Sequence, residues 1–516
     1  MNDAIAGAFA VLPDYLGQHV LLSVSAIVLG LVISLPLAIV SSRSTLLRGP
    51  ALAAASIIQT IPSLALLALF YPLLLALSAF TQRTIGFEFR ALGFLPALLA
   101  LTLYSILPVL RNTVTGLAAI DPAVKTAARA VGMTPWQMLT MVELPLAAPV
   151  IMAGLRTSAV WVIGTATLST PVGQTSLGNY IFSGLQTENW VSVLFGCVAA
   201  ALLALAVDRL LALGEESFAR RSRWRLIASL SGLLVVVVAS LYPLMGRAEA
   251  PVVIGTKNFE EQYILASLIG VRLHNAGYAT ARRDDLGSTV IFRALAAGDV
   301  GVYVDYSGTI WANDMKRTDM PGRQAVLDEM AKWLKDKYGI GYVGALGFEN
   351  AYAFAMRRDE ADAMGIATLA DLAKHSAAMK FGTDLEFLAR PEWKSVKRIY
   401  GLDFEVKRQY QANFMYRAVA DGDVDVISAF SSDGRIAQYD LKILGDPKHA
   451  LPPYDAVLLV TPERAHDEKM LKAFEPLIGA ISLPTMQKAN LMVDRTADKQ
   501  TPEQAADWIA EQINQR

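Results

Sequence analysis

The residues with the most evident chemical potential in this sequence do not form a catalytic or metal-binding pattern. The adjacent carboxylates Glu260 and Glu261 fit the start of a helix, where the macrodipole favours negative charge, better than a catalytic pair. A P-loop needs a Gly-Lys pair to cradle phosphates, and the sequence contains no such pair. Four histidines show no metal-ligand spacing: His274, His375, His449 and His466. The sequence therefore predicts a chain that is not an enzyme, holds no cofactor or metal and hydrolyses no ATP itself.

Composition divides the chain into an apolar half and a soluble half. The 516 residues are too many for one core, and 53% of them are hydrophobic whereas only 18% are charged. Long apolar runs fill the chain up to about residue 220, and the part after residue 247 has the composition of a soluble α/β protein. A net charge of −1 leaves no dominant basic face, which argues against a nucleic-acid partner. The single cysteine, Cys197, allows neither a disulfide framework nor a thiolate metal site.

The apolar half contains six stretches long enough to cross a membrane as helices, which takes about 20 apolar residues each. The predicted spans are residues 19–40, 51–77, 91–110, 149–170, 190–213 and 226–245. The second stretch is long and contains Gln59 and Pro62, so we expect it to be tilted or broken. A membrane domain of residues 1–247, in contact with lipid, follows from this pattern.

Basic residues gather in alternate loops between these spans, which predicts the orientation in the membrane. Three loops are expected to be cytoplasmic from their basic residues: Arg43 and Arg48; Arg111, Lys125 and Arg129; Arg220, Arg221, Arg223 and Arg225. The alternative explanation of the third group is a solvated helix end. The opposite loops are poorer, with Arg83 and Arg90 in one of them. Six spans then place both termini, and the domain after residue 245, outside the cytoplasm of a multi-pass inner-membrane protein.

The soluble half, residues 251–516, alternates short apolar runs with helical stretches. We expect strands near residues 252–254, 300–303, 351–356 and 424–427, and an amphipathic helix over 260–276. This alternation predicts an α/β domain with parallel sheets and with ligands at the strand ends. About 265 residues suffice for two such lobes with a cleft between them.

The long loop between the third and fourth spans, residues 111–148, contains a distinctive pattern. It consists of small, flexible and helix-starting residues: Ala127, Ala128, Gly132, Leu144 and Pro145. The pattern resembles the cytoplasmic coupling loop of type I ABC importer permeases, in which a short helix docks on the ATP-binding subunit. Thr126 stands where that family often has glutamate. The resemblance implies a separate ATP-binding subunit and a homodimer of this chain; an ordinary amphipathic loop helix is the alternative.

Six segments of the soluble half resemble the binding proteins of osmoprotectant importers, which take glycine betaine, carnitine, choline or ergothioneine. The segments are residues 255–262, 306–309, 350–352, 386–391, 431–435 and 452–455. The resemblance implies a two-lobed periplasmic-binding-protein domain of type II. Its first lobe would comprise residues 251–353 and 455–516, and its second lobe residues 354–454.

The same resemblance implies roles for individual residues. An aromatic cage for a trimethylammonium group would consist of Tyr306, Tyr352, Phe430 and Tyr454. The carboxylate of a zwitterion would be bound by Lys257, Arg390 and the Thr309 hydroxyl. Phe430 stands where the family commonly has tyrosine. Asn350 stands where some relatives have aspartate, which leaves the charge beside the cage and the exact ligand open.

Two other functions are compatible with parts of the sequence. A fused importer of polar amino acids would share this architecture, but it should present an acidic residue to the ligand's α-amino group. A membrane-anchored solute sensor would need no coupling loop and would normally have a cytoplasmic output domain. We therefore expect an ABC importer permease fused to its own substrate-binding domain for a quaternary ammonium compound.

Overall fold

The computed structural model describes residues 2–87, 89, 93–187, 189–220, 222–245, 251–317, 319, 321–495 and 498–514. Arg90, Arg221, Arg516 and the predicted end of the membrane domain at residue 247 lie outside the described residues. The chain divides into two compact units, one formed mainly by residues before 249 and the other mainly by the residues that follow.

The first unit is entirely helical in its described part. Its α-helices are α1 (Asn2–Arg43), α2 (Thr45–Thr60), α3 (Ser63–Ile85), α4 (Phe94–Ala118), α5 (Pro122–Ala130), α6 (Pro135–Met138), α7 (Leu144–Ala166), α8 (Gly178–Gln186), α9 (Trp190–Ala219) and α10 (Arg223–Met245). A π-helical turn, Leu139–Glu143, joins α6 to α7, and a 3₁₀ turn, Thr167–Val172, follows α7.

Six described segments are long and apolar enough to cross a membrane, so the predicted number of spans is confirmed. They are Val11–Arg43, Ser63–Ile85, Phe94–Ala118, Pro135–Val172, Trp190–Phe218 and Arg223–Tyr242.

The expected break in the second predicted span is confirmed, whereas the end of the third span is wrong. The stretch 51–77 is not one helix, because the chain leaves the helical conformation at Ile61 and Pro62 and starts α3 at Ser63. Proline disfavours the helical conformation of the residue before it, which explains the break. In addition, α4 continues to Ala118, so the first residues of the predicted loop 111–148 are helical. Apolar length alone does not reveal where a helix continues beyond the membrane.

The core of the helical unit forms around α4, which packs against both α1 and α7. Small and branched residues from these helices are buried together, among them Leu22, Ala26, Leu101, Val162 and Ala166. The alanines allow close approach of the helix backbones, the usual basis of helix packing in membranes.

The second unit contains ten strands and twelve α-helices among its described residues. The strands are β1 (Val252–Lys257), β2 (Thr280–Leu286), β3 (Val302–Tyr306), β4 (Gly341–Glu349), β5 (Tyr352–Arg357), β6 (Lys380–Thr383), β7 (Val406–Gln409), β8 (Val426–Phe430), β9 (Leu441–Leu444) and β10 (Asp455–Val460). The helices are α11 (Glu260–Asn275), α12 (Ser288–Ala296), α13 (Ser307–Thr309), α14 (Arg323–Tyr338), α15 (Arg358–Ala363), α16 (Leu369–Leu372), α17 (Pro391–Tyr400), α18 (Ala412–Ala420), α19 (Arg435–Gln438), α20 (Glu468–Phe474), α21 (Leu483–Asp494) and α22 (Pro502–Asn514).

These strands form two five-stranded sheets, with the orders β2-β1-β3-β10-β4 and β7-β6-β8-β5-β9. The prediction of parallel sheets is wrong in part, because both sheets are mixed. In the first sheet β10 runs antiparallel to β3 and β4, and in the second β5 runs antiparallel to β8 and β9. Apolar runs predict strands but not their direction, which depends on how the chain crosses between sheets.

Candidate functional site

Most of the predicted binding residues lie at or next to strand ends of the two sheets. Lys257 and Tyr306 end β1 and β3, Tyr352 begins β5, and Phe430 ends β8. Tyr454 directly precedes β10. All eight predicted binding residues line one cavity of the second unit: Lys257, Tyr306, Thr309, Asn350, Tyr352, Arg390, Phe430 and Tyr454. The arrangement agrees with the general tendency of ligands to bind at the ends of strands in α/β proteins.

Strand pairing brings two of the predicted aromatic rings together. Tyr352 and Phe430 are direct partners in the antiparallel pair of β5 and β8, and their ring centroids are 5.0 Å apart. The ring of Tyr454 meets that of Tyr352 edge-on, with centroids 5.8 Å apart and an interplanar angle of 82°. Three of the four predicted aromatic residues therefore form one continuous wall.

A fifth ring, which the sequence prediction missed, links the fourth predicted aromatic residue to this wall. The ring of Phe259 is nearly parallel to Phe430, with centroids 6.3 Å apart and planes inclined by 3°. Its centroid also lies 6.0 Å from that of Tyr306. Phe259 lies two residues after Lys257, within one of the segments that carry the family resemblance. This position was the signal from which a place in the site could have been predicted. The five rings form the aromatic row of the cavity: Tyr306, Phe259, Phe430, Tyr352 and Tyr454.

Gly308 allows close packing at the Tyr454 end of this row. A Cβ atom on Gly308 would lie 2.8 Å from ring atoms of Tyr454 and 2.8 Å from the carbonyl oxygen of Pro453. Contacts this short do not occur for real side chains. Glycine at this position therefore lets Tyr454 approach the turn that follows Tyr306.

Two of the tyrosine hydroxyls are held by buried carboxylates. Tyr306 Oη donates to Glu261 Oε1 over 2.5 Å, and Tyr454 Oη donates to Glu392. Burial and the nearby Glu261 raise the pKa of Tyr306 well above its ordinary value. Burial likewise raises the pKa of Tyr454. Both phenols therefore remain protonated and donate hydrogen bonds, which fixes the orientation of their rings.

Glu261 organises the region behind Tyr306. Its carboxylate accepts hydrogen bonds from Tyr306, from Asn350 Nδ2 at 3.2 Å, from Ser432 Oγ at 2.5 Å and from Asn490 Nδ2 at 3.0 Å. Burial raises the pKa of Glu261, and these hydrogen bonds oppose the rise. Helix α11 does begin at Glu260, as the sequence predicted. Asn350 thus presents its amide nitrogen to Glu261, whereas its Oδ1 atom has no hydrogen-bond partner among the described residues.

The predicted cation Lys257 is already paired within the protein. Its Nζ atom lies 2.5 Å from Asp305 Oδ1, and both side chains are buried. The same ammonium group lies 5.2 Å from the centroid of the Tyr306 ring. Lys257 therefore neutralises a buried carboxylate beside the aromatic row.

Arg390 lies at the opposite end of the row and has two carboxylate partners. Its guanidinium is 5.1 Å from the centroid of the Tyr352 ring. Its Nη2 atom is 3.1 Å from Glu392 Oε1 and 3.3 Å from Tyr454 Oη, and its Nη1 atom is 3.1 Å from Glu386 Oε2. The sequence prediction missed Glu392. This carboxylate accepts hydrogen bonds from Arg390 and from Tyr454, which lies 62 residues further along the chain.

Further polar groups line the cavity near Arg390. Asp384 Oδ1 accepts hydrogen bonds from the backbone N–H groups of Glu386 at 2.8 Å and Phe387 at 3.1 Å. Burial raises the pKa of Asp384 above its ordinary value. Asp384, Glu386 and Tyr410 all line the cavity, so this end can accept and donate hydrogen bonds. Thr309, buried in the short helix α13, lines the cavity as well.

The candidate coupling segment has a defined structure in the first unit. Asp121 caps α5 by accepting a hydrogen bond from Ala123 N at 2.8 Å, and Gly132 adopts a φ of +82°, which favours glycine. The turn predicted at Gly132 is therefore present. Ala127 lies within α5, and Ala128 is buried on it. Leu144 and Pro145 form the first turn of α7, directly after the π-helical turn Leu139–Glu143.

Glu143, which precedes these two residues, fixes the coupling segment to the rest of the unit. The buried carboxylate lies 2.9 Å from Arg43 Nη2 at the end of α1 and 3.8 Å from Lys125 Nζ on α5. Lys125 also donates to the carbonyl of Leu117 near the end of α4, at 3.1 Å. Cations from α1 and α5 thus meet at one carboxylate beside the segment.

The two halves match two families of transport proteins. Residues 250–511 match the family described as the substrate binding domain of ABC-type glycine betaine transport system. Residues 26–220 match the family described as the binding-protein-dependent transport system inner membrane component.

Individual relatives agree with these matches. The chain is 30% identical over 456 residues to the ergothioneine transport permease/ergothioneine binding protein EgtU of Helicobacter pylori (strain G27), covering 85% of this chain and 79% of the relative. It is 39% identical over 209 residues to the choline transport system permease protein OpuBB of Bacillus subtilis (strain 168), covering 40% of this chain and 89% of the relative. It is also similar to the crystal structure of a glycine betaine/carnitine/choline ABC transporter, with 30% identity, a TM-score of 0.45, and coverage of 51% and 98%. The chain belongs to the family of osmoprotectant ABC importers in which a membrane permease domain and a substrate-binding domain are fused in one polypeptide.

Proposed function

We propose that the cavity captures a small quaternary ammonium zwitterion and that the helical unit carries it across the membrane. The single observation that supports this most is the row of five aromatic rings with the Arg390 guanidinium at one end. A zwitterion with a methylated amine and a carboxylate has the matching chemistry at its two ends.

The aromatic row suits the cationic end of such a ligand. A quaternary ammonium group has no N–H to donate and a diffuse charge, so carboxylates bind it poorly. Aromatic faces attract it, at about 0.5–2 kcal/mol each. The hydrogen bonds from Tyr306 to Glu261 and from Tyr454 to Glu392 hold two of these faces in place before ligand arrives, which reduces the entropy lost on binding.

The carboxylate end is assigned to Arg390 in preference to Lys257. The Lys257 ammonium is enclosed by Asp305, a fully buried partner that cannot move into solvent. One side of the Arg390 guanidinium is paired with Glu386, which lines the cavity. Guanidinium groups pair with carboxylates in bidentate geometry. Thr309 can add a hydroxyl hydrogen bond.

Ergothioneine, glycine betaine, carnitine and choline are the ligands to compare. The relative that aligns with both halves of this chain is named for ergothioneine, and the permease relative is named for choline. Asp384 and Tyr410 provide polar groups beyond those that a small betaine requires. We therefore rank ergothioneine, a betaine with a ring bearing N–H groups, first. A polar amino acid remains the alternative that the experiment below must exclude.

Transport requires a partner that hydrolyses ATP. We propose that α5 and the turn at Gly132 dock on a separate ATP-binding subunit, with Ala127 and Ala128 in the contact and Leu144 and Pro145 behind it. The ion pairs of Glu143 with Arg43 and Lys125 support this role, because they link the segment to α1. Two copies of this chain would pair in the membrane, in contact with lipid. The basic loops face the cytoplasm, and residues 251–516 lie outside it.

Calorimetry with matched ligand pairs tests the function. The full-length chain in lipid nanodiscs is titrated with ergothioneine, glycine betaine, carnitine and choline, and with 2-thiolhistidine and glycine as the unmethylated counterparts of the first two. We expect at least one methylated zwitterion to bind, and its unmethylated counterpart to bind at least about 100-fold more weakly. Equal affinity for the methylated and unmethylated members of a pair would contradict the proposal.

A further inference from the structure

The two carboxylates that flank Arg390 differ in how firmly they are held. The Glu392 side chain is 1% exposed and also accepts the hydrogen bond from Tyr454. The Glu386 side chain is 49% exposed and pairs with Nη1 alone, at 3.1 Å. Solvent screens an exposed ion pair and competes for its partners, so such pairs form weakly. Glu392 is therefore the fixed partner of Arg390, and Glu386 is the partner that can leave.

The hydrogen-bond donors of Arg390 are nearly all engaged while Glu386 is in place. A guanidinium has five N–H donors. Glu392 accepts from Nε at 3.3 Å and from Nη2 at 3.1 Å, and Tyr454 Oη lies 3.3 Å from Nη2. Glu386 takes one of the two Nη1 donors. Among the described contacts one Nη1 donor is therefore left for a ligand's carboxylate while Glu386 is in place, and both Nη1 donors become available when Glu386 leaves.

Local chain geometry places Glu386 at this position. A 3₁₀ turn over Phe387–Ala389 separates it from Arg390, so the two side chains are four residues apart on the same side. The backbone N–H of Glu386 donates to the buried Asp384, at 2.8 Å. This bond anchors the backbone of Glu386 while its side chain stays half in solvent, at the lining of the cavity.

We propose that Glu386 is an internal substitute for the carboxylate of the ligand and sets the preference between zwitterions and cations. In the empty site the Glu386 carboxylate pairs with the Arg390 guanidinium. A zwitterion must displace the Glu386 side chain into solvent before the carboxylate of the ligand binds Arg390. A cation without a carboxylate, such as choline, leaves the Glu386–Arg390 pair intact. Its ammonium group is then attracted by the negative charge of Glu386 near the aromatic row. The inference rests on the proposed function, because it requires Arg390 to bind the ligand's carboxylate.

The test compares Glu386→Gln with wild type and with Glu405→Gln, a control at an exposed carboxylate of the same unit away from the cavity. Each full-length protein in nanodiscs is titrated with choline and with whichever of ergothioneine and glycine betaine binds wild type more tightly. We expect Glu386→Gln to lower the Kd of the zwitterion by about two- to fivefold, the range of an exposed ion pair. The Kd of choline should not fall in Glu386→Gln. The Glu405→Gln variant should bind both ligands as wild type does.

The outcomes separate this inference from the function on which it rests. A zwitterion Kd that is unchanged or higher in Glu386→Gln overturns the inference, and so does an equal gain for choline. In either case the binding of the zwitterion by wild type leaves the proposed function intact. If wild type binds none of the zwitterions ergothioneine, glycine betaine and carnitine, the proposed function fails, and the inference fails with it.

Discussion

Two buried arginines of the substrate-binding unit make an instructive comparison. Arg390 and Arg435 are 6% and 3% exposed, and each lies over a tyrosine ring, at 5.1 Å from Tyr352 and 4.7 Å from Tyr416. Both lie within segments that carry the family resemblance. Their surroundings differ in one respect, which is whether every carboxylate partner is buried.

Arg435 is enclosed by three buried carboxylates. Its Nη2 atom lies 2.8 Å from Asp433 and 3.2 Å from Glu260, and its Nε atom lies 3.9 Å from Asp494. Arg390 has one buried partner, Glu392, and one half-exposed partner, Glu386. A guanidinium with only buried partners joins parts of the protein, whereas one with a displaceable partner can exchange it for a ligand. The difference distinguishes a structural arginine from a binding arginine.

The largest expected effect comes from removing the enclosed arginine. Arg435→Leu removes the guanidinium that three buried carboxylates share, and breaking a buried ion pair costs about 3–5 kcal/mol. Hydrogen-exchange mass spectrometry of the full-length chain in nanodiscs should show this loss in the opening free energy of β8 peptides. Arg390→Leu is the matched control and should cost less, because Glu386 is released to solvent and Glu392 keeps its bond to Tyr454. Equal losses of opening free energy in the two variants would contradict the distinction between a structural Arg435 and a binding Arg390.

The next effect separates two tyrosines of the aromatic row. Tyr454→Phe keeps the ring but removes the hydroxyl between Glu392 and Arg390, and a hydrogen bond to a charged group contributes about 1.5–3 kcal/mol. We expect the affinity for a zwitterion to fall about tenfold or more. Tyr352→Phe should change it less than about twofold, because the structure shows no hydrogen bond between the Tyr352 hydroxyl and another described residue. Calorimetry that finds equal losses would contradict the assigned role of Glu392.

The smallest effect concerns the excess of carboxylates around Arg435. Burial raises the pKa of Asp494 well above its usual 3.8, and Asp494 ends α21, where the helix dipole disfavours negative charge. The folded protein therefore binds this proton more tightly than the unfolded chain, so the contribution of Asp494 to stability is fully present below about pH 4 and is lost as the pH rises through the folded-state pKa. Asp494→Asn should flatten that decline and stabilise the protein by about 0.3–1 kcal/mol at pH 8.

Opening free energies from hydrogen exchange at pH 5 and pH 8, corrected for intrinsic exchange rates, measure the effect of Asp494→Asn. A variant that is less stable than wild type at pH 8 would show that Arg435 needs all three carboxylates.

Local patterns predicted the elements better than they predicted the partners. Hydropathy predicted six spans, and the family resemblance indicated eight residues that line one cavity, because both signals lie within short segments. Glu392 was missed because its contact with Tyr454 joins residues 62 positions apart. The antiparallel direction of β5 was missed for a similar reason, since it depends on a crossover between sheets. The bounds of the domains and lobes and the orientation in the membrane stay predictions.

The resemblance to a family indicated that Arg390 binds a ligand but gave no reason for the difference from Arg435. Spacing alone does not reveal that Glu386 is half-exposed whereas Glu260, Asp433 and Asp494 are buried. Exposure of a charged partner is a property of the packed fold. The comparison of the two arginines therefore required the structure.

The most direct test of the binding mode is the effect of Arg390→Met on two ligands that differ in a carboxylate. The full-length chain in nanodiscs is titrated with glycine betaine and with choline, which share the trimethylammonium group. If Arg390 binds the carboxylate, the variant should weaken glycine betaine by at least about tenfold and leave choline within about threefold. Equal weakening of both ligands, or a wild-type preference for choline over glycine betaine, would contradict the account.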